Sequence, residues 1–138
     1  MGQDTLYSRA GGREGISAIV ESFYEKVEKD AHMRSIYPAD LEPGKAKLKL
    51  FFEQWFDGPP VYTELYGHPR LRRRHFPFVI DDRHAGLWLR YMRQSMAENG
   101  ISNADLGTIF KAFGDLAKHM VNAGEDVPRE PLGDVRLT

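Results

Sequence analysis

Cysteine is absent from the 138-residue chain, so disulfides, thiolate metal sites and thiol nucleophiles are excluded. Any metal has to be held by histidine, carboxylate or other oxygen ligands. An excess of one charge sign is also missing: 19 basic residues face 20 acidic ones, for a net charge of −1. Proteins that grip nucleic acid by its phosphates are far more basic, so no nucleic-acid partner is expected. No apolar run approaches the length of a bilayer span, so no membrane contact is expected either. Met1 to Leu6 has no basic n-region and no apolar h-region, and Leu6 stands where a myristoylation signal needs Ser or Thr. The expected location is therefore cytoplasmic. Strict two-residue alternation of apolar and polar side chains is lacking too, which removes the signature of a sheet. Neither repeats nor low-complexity tracts occur.

What is present is enough for one folded domain. Hydrophobic residues make up 41%, which excludes disorder, and the length leaves no room for two ordinary domains. Residues 4–10 read as a short helix closed by Gly11-Gly12, a pair suited to a tight corner. Ile16, Ile19, Val20, Phe23, Tyr24 and Val27 then follow the spacing of one helical stripe. A break near Asp30 and a short turn ended by Tyr37-Pro38 come next. Pro43-Gly44 opens another helix, with Leu48, Phe51, Phe52 and Trp55 on one face. Gly58-Pro59-Pro60 stops it. Residues 59–80 carry five Pro or Gly positions (Pro59, Pro60, Gly67, Pro69 and Pro77), so an irregular segment with one or two short helical turns is expected. Asp81-Asp82 caps a long helix holding Leu87, Trp88, Tyr91, Met92 and Met96, and Asn99-Gly100 stops it. Ser102 caps the last helix, whose apolar face runs from Leu106 to Val121. The fold class expected is all-α, with four substantial helices in two pairs. Residues 1–122 form the domain and residues 123–138 a loosely held tail.

The histidines are His32, His68, His75, His84 and His119, and they show no paired metal spacing. For most of them a surface or structural role is the ordinary expectation. His75 stands out by its company, Arg72-Arg73-Arg74-His75-Phe76-Pro77-Phe78. Haem needs one axial nitrogen, an apolar aromatic slot and cations for its propionates. Tyr24, Tyr37 and Trp88 lie on or beside apolar faces of three separate elements. Each either bonds a nearby backbone carbonyl or converges with the others on a polar guest, such as a diatomic ligand. The run Arg70, Arg72, Arg73, Arg74 reads as a solvated face with ion pairs, one arginine anchoring a carboxylate.

With these residues in this order, the chain resembles the truncated haemoglobins, and among them the second group. The most specific stretch is Gly67-His-Pro-Arg-Leu-Arg-Arg-Arg-His75-Phe-Pro-Phe78, similar to the family's proximal segment. Gly11-Gly12, Phe23-Tyr24, Tyr37-Pro38, Phe51-Phe52-Glu53-Gln54, Gly58-Pro59, Trp88-Leu89 and Met120-Val121-Asn122 match in sequence order. The resemblance implies a shortened globin fold, a two-over-two helical sandwich. It implies haem b, with His75 as the iron ligand and its other ring nitrogen donating to a backbone carbonyl. It implies Tyr24, Tyr37 and Trp88 as donors to the bound ligand. Gly44 stands where classical globins carry a distal histidine. Leu48, Phe51, Leu71 and Phe78 line the haem, and Lys47, Tyr62 and Arg74 meet its propionates. One departure is Asp57-Gly58, where the family often has a second Gly-Gly pair.

The function implied is binding of O2 and other small ligands (NO, CO, peroxide), with nitric oxide dioxygenase or peroxidase-like chemistry as a further activity. That chemistry would require a reductase, as yet unidentified, and the protein is expected to be a monomer or homodimer. The competing reading is a haem-free globin-like module for sensing or interaction. A weaker third, an RNA-binding helical domain, would show salt-dependent affinity lost on changing Arg72 to Arg74.

Overall fold

Caps and corners set where the helices of this chain begin. The computed structural model describes residues 4–67 and 70–129. Thr5 caps α1 (Leu6–Arg9) by accepting the Ser8 N–H at 3.1 Å. Gly11 and Gly12, at φ +90° and +63°, turn the chain into α2 (Gly12–Lys29). Those angles strain any residue with a Cβ. A glycine outside the expected pair is the tightest of the described ones: a Cβ on Gly15 would lie 1.7 Å from the Ala10 carbonyl oxygen.

The stripe predicted for α2 is buried throughout. Asp30 then accepts the N–H groups of His32 and Met33 and starts α3 (Ala31–Arg34). Arg34 donates back to the carbonyls of Tyr37 and Pro38, at 3.1 and 2.9 Å, which fixes the connection leading to Tyr37. Helix α4 (Glu42–Trp55) has Pro43 in its first turn, as the sequence suggests. Its exit uses Asp57 at φ +68°, so an aspartate takes the left-handed position where a glycine was expected. Gly58 beside it is required: a Cβ there would come within 2.4 Å of the Tyr7 ring.

The irregular segment holds two short helices, α5 (Val61–Tyr66) and α6 (Leu71–Arg74). Helix α7 (Asp82–Glu98) is capped by Asp81 and ends at Asn99-Gly100, with Gly100 at φ +92°. Ser102 caps α8 (Asn103–Met120). Helix α2 packs on α4 and α7, and α7 packs on α8. The result is the expected all-α, two-over-two sandwich, with no strand among the described residues. Among those residues, no helix is long and apolar enough to cross a membrane.

Phe23, Phe52, Phe56, Phe113, Met92 and Met96 are fully buried in the centre. Side chains of this size contribute about 1.5–3 kcal/mol each on burial. Helix α6 buries only Arg74, so apolar burial cannot be what positions it. Hydrogen bonds do that instead. The buried Asn122 exchanges bonds with Ile80, N–H to carbonyl at 2.9 Å and side-chain oxygen from the Ile80 N–H at 3.0 Å, and donates to the His75 carbonyl at 3.3 Å. Composition suggests a loose tail after residue 122, yet Arg129 donates to the Asn122 side chain at 2.7 Å and to the Phe76 carbonyl at 3.1 Å. One guanidinium satisfying several oxygens holds residues 123–129 in place. The rest of the expected tail, 130–138, lies outside the described residues, as do His68 and Pro69.

Candidate functional site

His75 follows the last turn of α6 as its C-cap residue. Its Nδ1 lies 2.6 Å from the Leu71 carbonyl oxygen. A carbonyl accepts only, so Nδ1 carries the proton and Nε2 keeps its lone pair. Burial lowers the pKa of the imidazole, and the Leu71 carbonyl opposes this in part. The ring is therefore neutral near pH 7, as a metal-binding imidazole must be.

His75 opens onto an interior cavity of about 250 Å³. The cavity is also lined by Tyr24, Tyr37, Gly44, Lys47, Leu48, Phe51, Tyr62, Leu71, Arg74, Phe78 and Trp88. The side chains that the resemblance implies around a haem thus meet at one place. Tyr24 comes from α2, Tyr37 from the α3–α4 connection and Trp88 from α7. Edge-to-face packing sets their rings: Tyr24 on Tyr37 at 5.7 Å, Phe23 on Tyr24 at 5.5 Å, and Trp88 on Phe23 and Phe113, each at 5.7 Å. Burial raises the pKa of both tyrosines, so their hydroxyls stay protonated donors. Among the described residues, neither hydroxyl nor the Trp88 indole N–H has a hydrogen-bond partner in the protein. The backbone-carbonyl alternative is therefore not realised. Buried polar groups are normally satisfied, so three such donors around one apolar cavity call for a polar guest.

The cavity wall also carries two buried cations, Lys47 and Arg74. The Lys47 ammonium lies 4.5 Å from the centre of the Tyr66 ring, and Arg74 Nη2 reaches the Tyr66 carbonyl at 3.5 Å. Lys47 breaks the simple apolar face expected for α4 because that face borders the cavity as well as the core. The remaining arginines behave as a solvated run: Arg72 pairs with Glu125 at 2.8 Å and stacks over Phe76, and Arg73 is exposed. Gly44 offers no side-chain donor. The residues fit a haem: a neutral imidazole nitrogen, an aromatic slot, and cations for two carboxylates.

Sequence reasoning left out part of the lining. Met33, Ile36 and Leu41 near Tyr37, His84 and Ala85 on α7, and Leu116, Ala117 and Met120 on α8 also face the cavity. The α8 residues lie on the apolar stripe of that helix, where core and cavity faces have the same spacing. His84 gave no signal because its neighbours in sequence are polar and small.

Fold and site together define a globin-type helical sandwich built around one interior pocket. The family model described as bacterial-like globin matches residues 5–122. The Group 2 truncated hemoglobin YjbI of Bacillus subtilis is 40% identical over 114 residues, 83% of this chain and 86% of that protein. The group II truncated hemoglobin of Bacillus anthracis superposes with a TM-score of 0.83 at 37% identity, covering 88% of this chain and 98% of that one. A truncated oxygen-avid haemoglobin from Bacillus subtilis gives 0.79 at 39% identity, over 86% and 100% of the two chains. The chain belongs to the bacterial-like globins and, among them, to the group II truncated haemoglobins. Membership implies a haem cofactor and the binding of small diatomic ligands such as O2.

Proposed function

We propose that the chain is a haem b protein that holds O2 by directed hydrogen bonds. When bound, the haem supplies an iron that takes a diatomic ligand at its open position. His75 Nε2 is the nitrogen that holds the iron, and Leu71 fixes its tautomer and ring plane through the 2.6 Å bond at Nδ1. Tyr24, Tyr37 and Trp88 donate to the ligand's polar atoms. Lys47, Tyr62 and Arg74 meet the propionates. Leu48, Phe51, Leu71 and Phe78 exclude water from the macrocycle, and Gly44 leaves the approach beside it unblocked. The oxygen-avid haemoglobin of Bacillus subtilis supports this reading. Donor-rich pockets retain ligands, so we infer retention of O2 rather than rapid transport.

One observation carries the proposal: three donors without protein partners share a cavity with a neutral, oriented imidazole. Absorption spectra of the purified protein, reduced with and without O2, test it. A Soret band that shifts on oxygenation is expected, and His75→Ala is expected to abolish the His-ligated reduced spectrum. A colourless protein from haem-sufficient cells would establish the haem-free module instead.

A further inference from the structure

At the edge of the cavity, where His84 joins Tyr37 and Trp88 in its lining, three titratable side chains form a joint between α3 and α7. His84 is buried, with 7% of its side chain exposed, and His32 is 29% exposed. Their rings stack at 4.0 Å with an interplanar angle of 9°. The Asp81 carboxylate serves both: Oδ1 lies 2.9 Å from His84 Nδ1, and Oδ2 lies 3.2 Å from His32 Nε2. His84 Nε2 lies 3.2 Å from the His32 carbonyl and must donate to it. That bond ties α7 to α3.

The arrangement at His84 Nδ1 is two-valued. The Asp81 N–H reaches the same nitrogen at 3.0 Å, completing a capping box in which His84 N–H donates to Asp81 Oδ1 at 2.7 Å. A neutral Nδ1 can accept the N–H but then turns its lone pair toward the carboxylate oxygen. A protonated Nδ1 gives up the Asp81 N–H and donates to the carboxylate instead, exchanging a neutral bond for a charge-assisted one, and Nε2 becomes a stronger donor to the His32 carbonyl. One proton therefore decides how firmly the joint is held.

We propose that His84, with Asp81 and His32, is a proton-operated positioning clamp for the ligand donors, tightening in acid and loosening as pH rises. The proposal rests on the oxygen-binding reading for its effect on O2. His84 grips the His32 carbonyl, α3 continues to Arg34, and Arg34 holds the Tyr37 carbonyl at 3.1 Å. On the other side, Trp88 stands one turn after His84 on α7. His84, Tyr37 and Trp88 all line the cavity.

Other charged groups border the joint. Lys29, Asp30, Arg83 and Tyr91 line the open cleft that His32 faces. Tyr91 donates to Asp30, which holds that carboxyl below its ordinary range and raises the phenol. Asp81 is also held low, first by the His84 N–H. On the cavity side, burial raises the Tyr37 hydroxyl. A metal is not the better occupant, although the three ligand atoms lie within 4.8 Å of one another. Imidazole lone pairs lie in the ring planes, and two parallel stacked rings do not aim them at a common point.

The test uses the holoprotein. O2 dissociation is followed by CO replacement between pH 5.5 and 8.5. It is expected to be slower at the acid end by about fivefold, the low end of coupling between linked sites. His84→Gln keeps the capping-box pattern but cannot titrate, and Asp81→Asn keeps the cap but not the charge. Both variants are expected to flatten the profile. In parallel, 15N spectra of the imidazoles are expected to show His84 gaining a proton at Nδ1 in acid while Nε2 stays protonated. A profile that survives in His84→Gln, or an Nδ1 that stays unprotonated down to pH 5.5, would overturn the clamp. A protein without a Soret band would instead defeat the oxygen-binding reading, and the 15N titration would still judge the clamp.

Discussion

At the scale of single residues, the ligand donors differ in how many choices they have. A tyrosine hydroxyl can rotate toward another acceptor, whereas the indole N–H of Trp88 points where the ring points. That ring is set between Phe23 and Phe113, with centroids 5.7 Å away on each side. Trp88 should therefore be the donor whose loss is felt most. Hydrogen bonds to charged partners are worth about 1.5–3 kcal/mol, which corresponds to roughly 10- to 100-fold in a dissociation rate. Stopped-flow O2 dissociation is expected to accelerate by that order in Trp88→Phe, and by less in Tyr24→Phe or Tyr37→Phe. The Phe ring keeps the aromatic packing, so folding is preserved. An unchanged rate in Trp88→Phe would remove the indole from the ligand site.

At the scale of elements, burial and hydrogen bonding divide the work of positioning. Helices α2, α4, α7 and α8 are placed by apolar stripes, while α6 and the His75 turn are placed by polar bonds around the fully buried Asn122. Replacing Asn122 by Ala leaves the Ile80 N–H and the His75 carbonyl without these partners. An unsatisfied buried polar group costs about 1–3 kcal/mol. Asn122→Ala is expected to lower stability to denaturant by about 2–6 kcal/mol, on the basis of two such groups, and to speed haem transfer to an acceptor apoprotein. Wild-type haem loss in this variant would show that α6 is placed by something else. The same division explains what was legible in advance. Stripes such as Ile16–Val27 and caps such as Asp81 and Ser102 announce themselves by local spacing. So did His75, because its aromatic and basic neighbours are adjacent in sequence. Asn122 and Arg129 act on residues 42 to 53 positions away, and His84 acts on His32 across 52. No local pattern encodes such pairings. Gly15 was missed for a related reason: its requirement comes from the Ala10 carbonyl that approaches it, not from its own turn.

At the scale of the molecule, one protein carries two kinds of interior. Ile16, Ile19, Val20, Phe23, Met92, Met96 and Ile109 are wholly buried against one another, and their packing closes without a cofactor. Tyr62, Leu71, His75 and Phe78 belong instead to the cavity wall, on elements with little apolar burial of their own. A ligand that binds the folded state stabilises it in proportion to the logarithm of its concentration over Kd, and its contacts decide where that stability is felt. Haem removal should therefore be unequal in its effects. Amide exchange in residues 61–80 is expected to accelerate strongly in the apoprotein, while the centres of α2, α7 and α8 keep most of their protection. The melting temperature should fall, and helicity at low temperature should fall only by the share of the two short helices. Hydrogen exchange with mass spectrometry on apo and holo forms reads this segment by segment. Uniform loss of protection would mean that the four long helices do not form a self-sufficient core, and that haem organises the whole chain rather than the irregular segment that grips it.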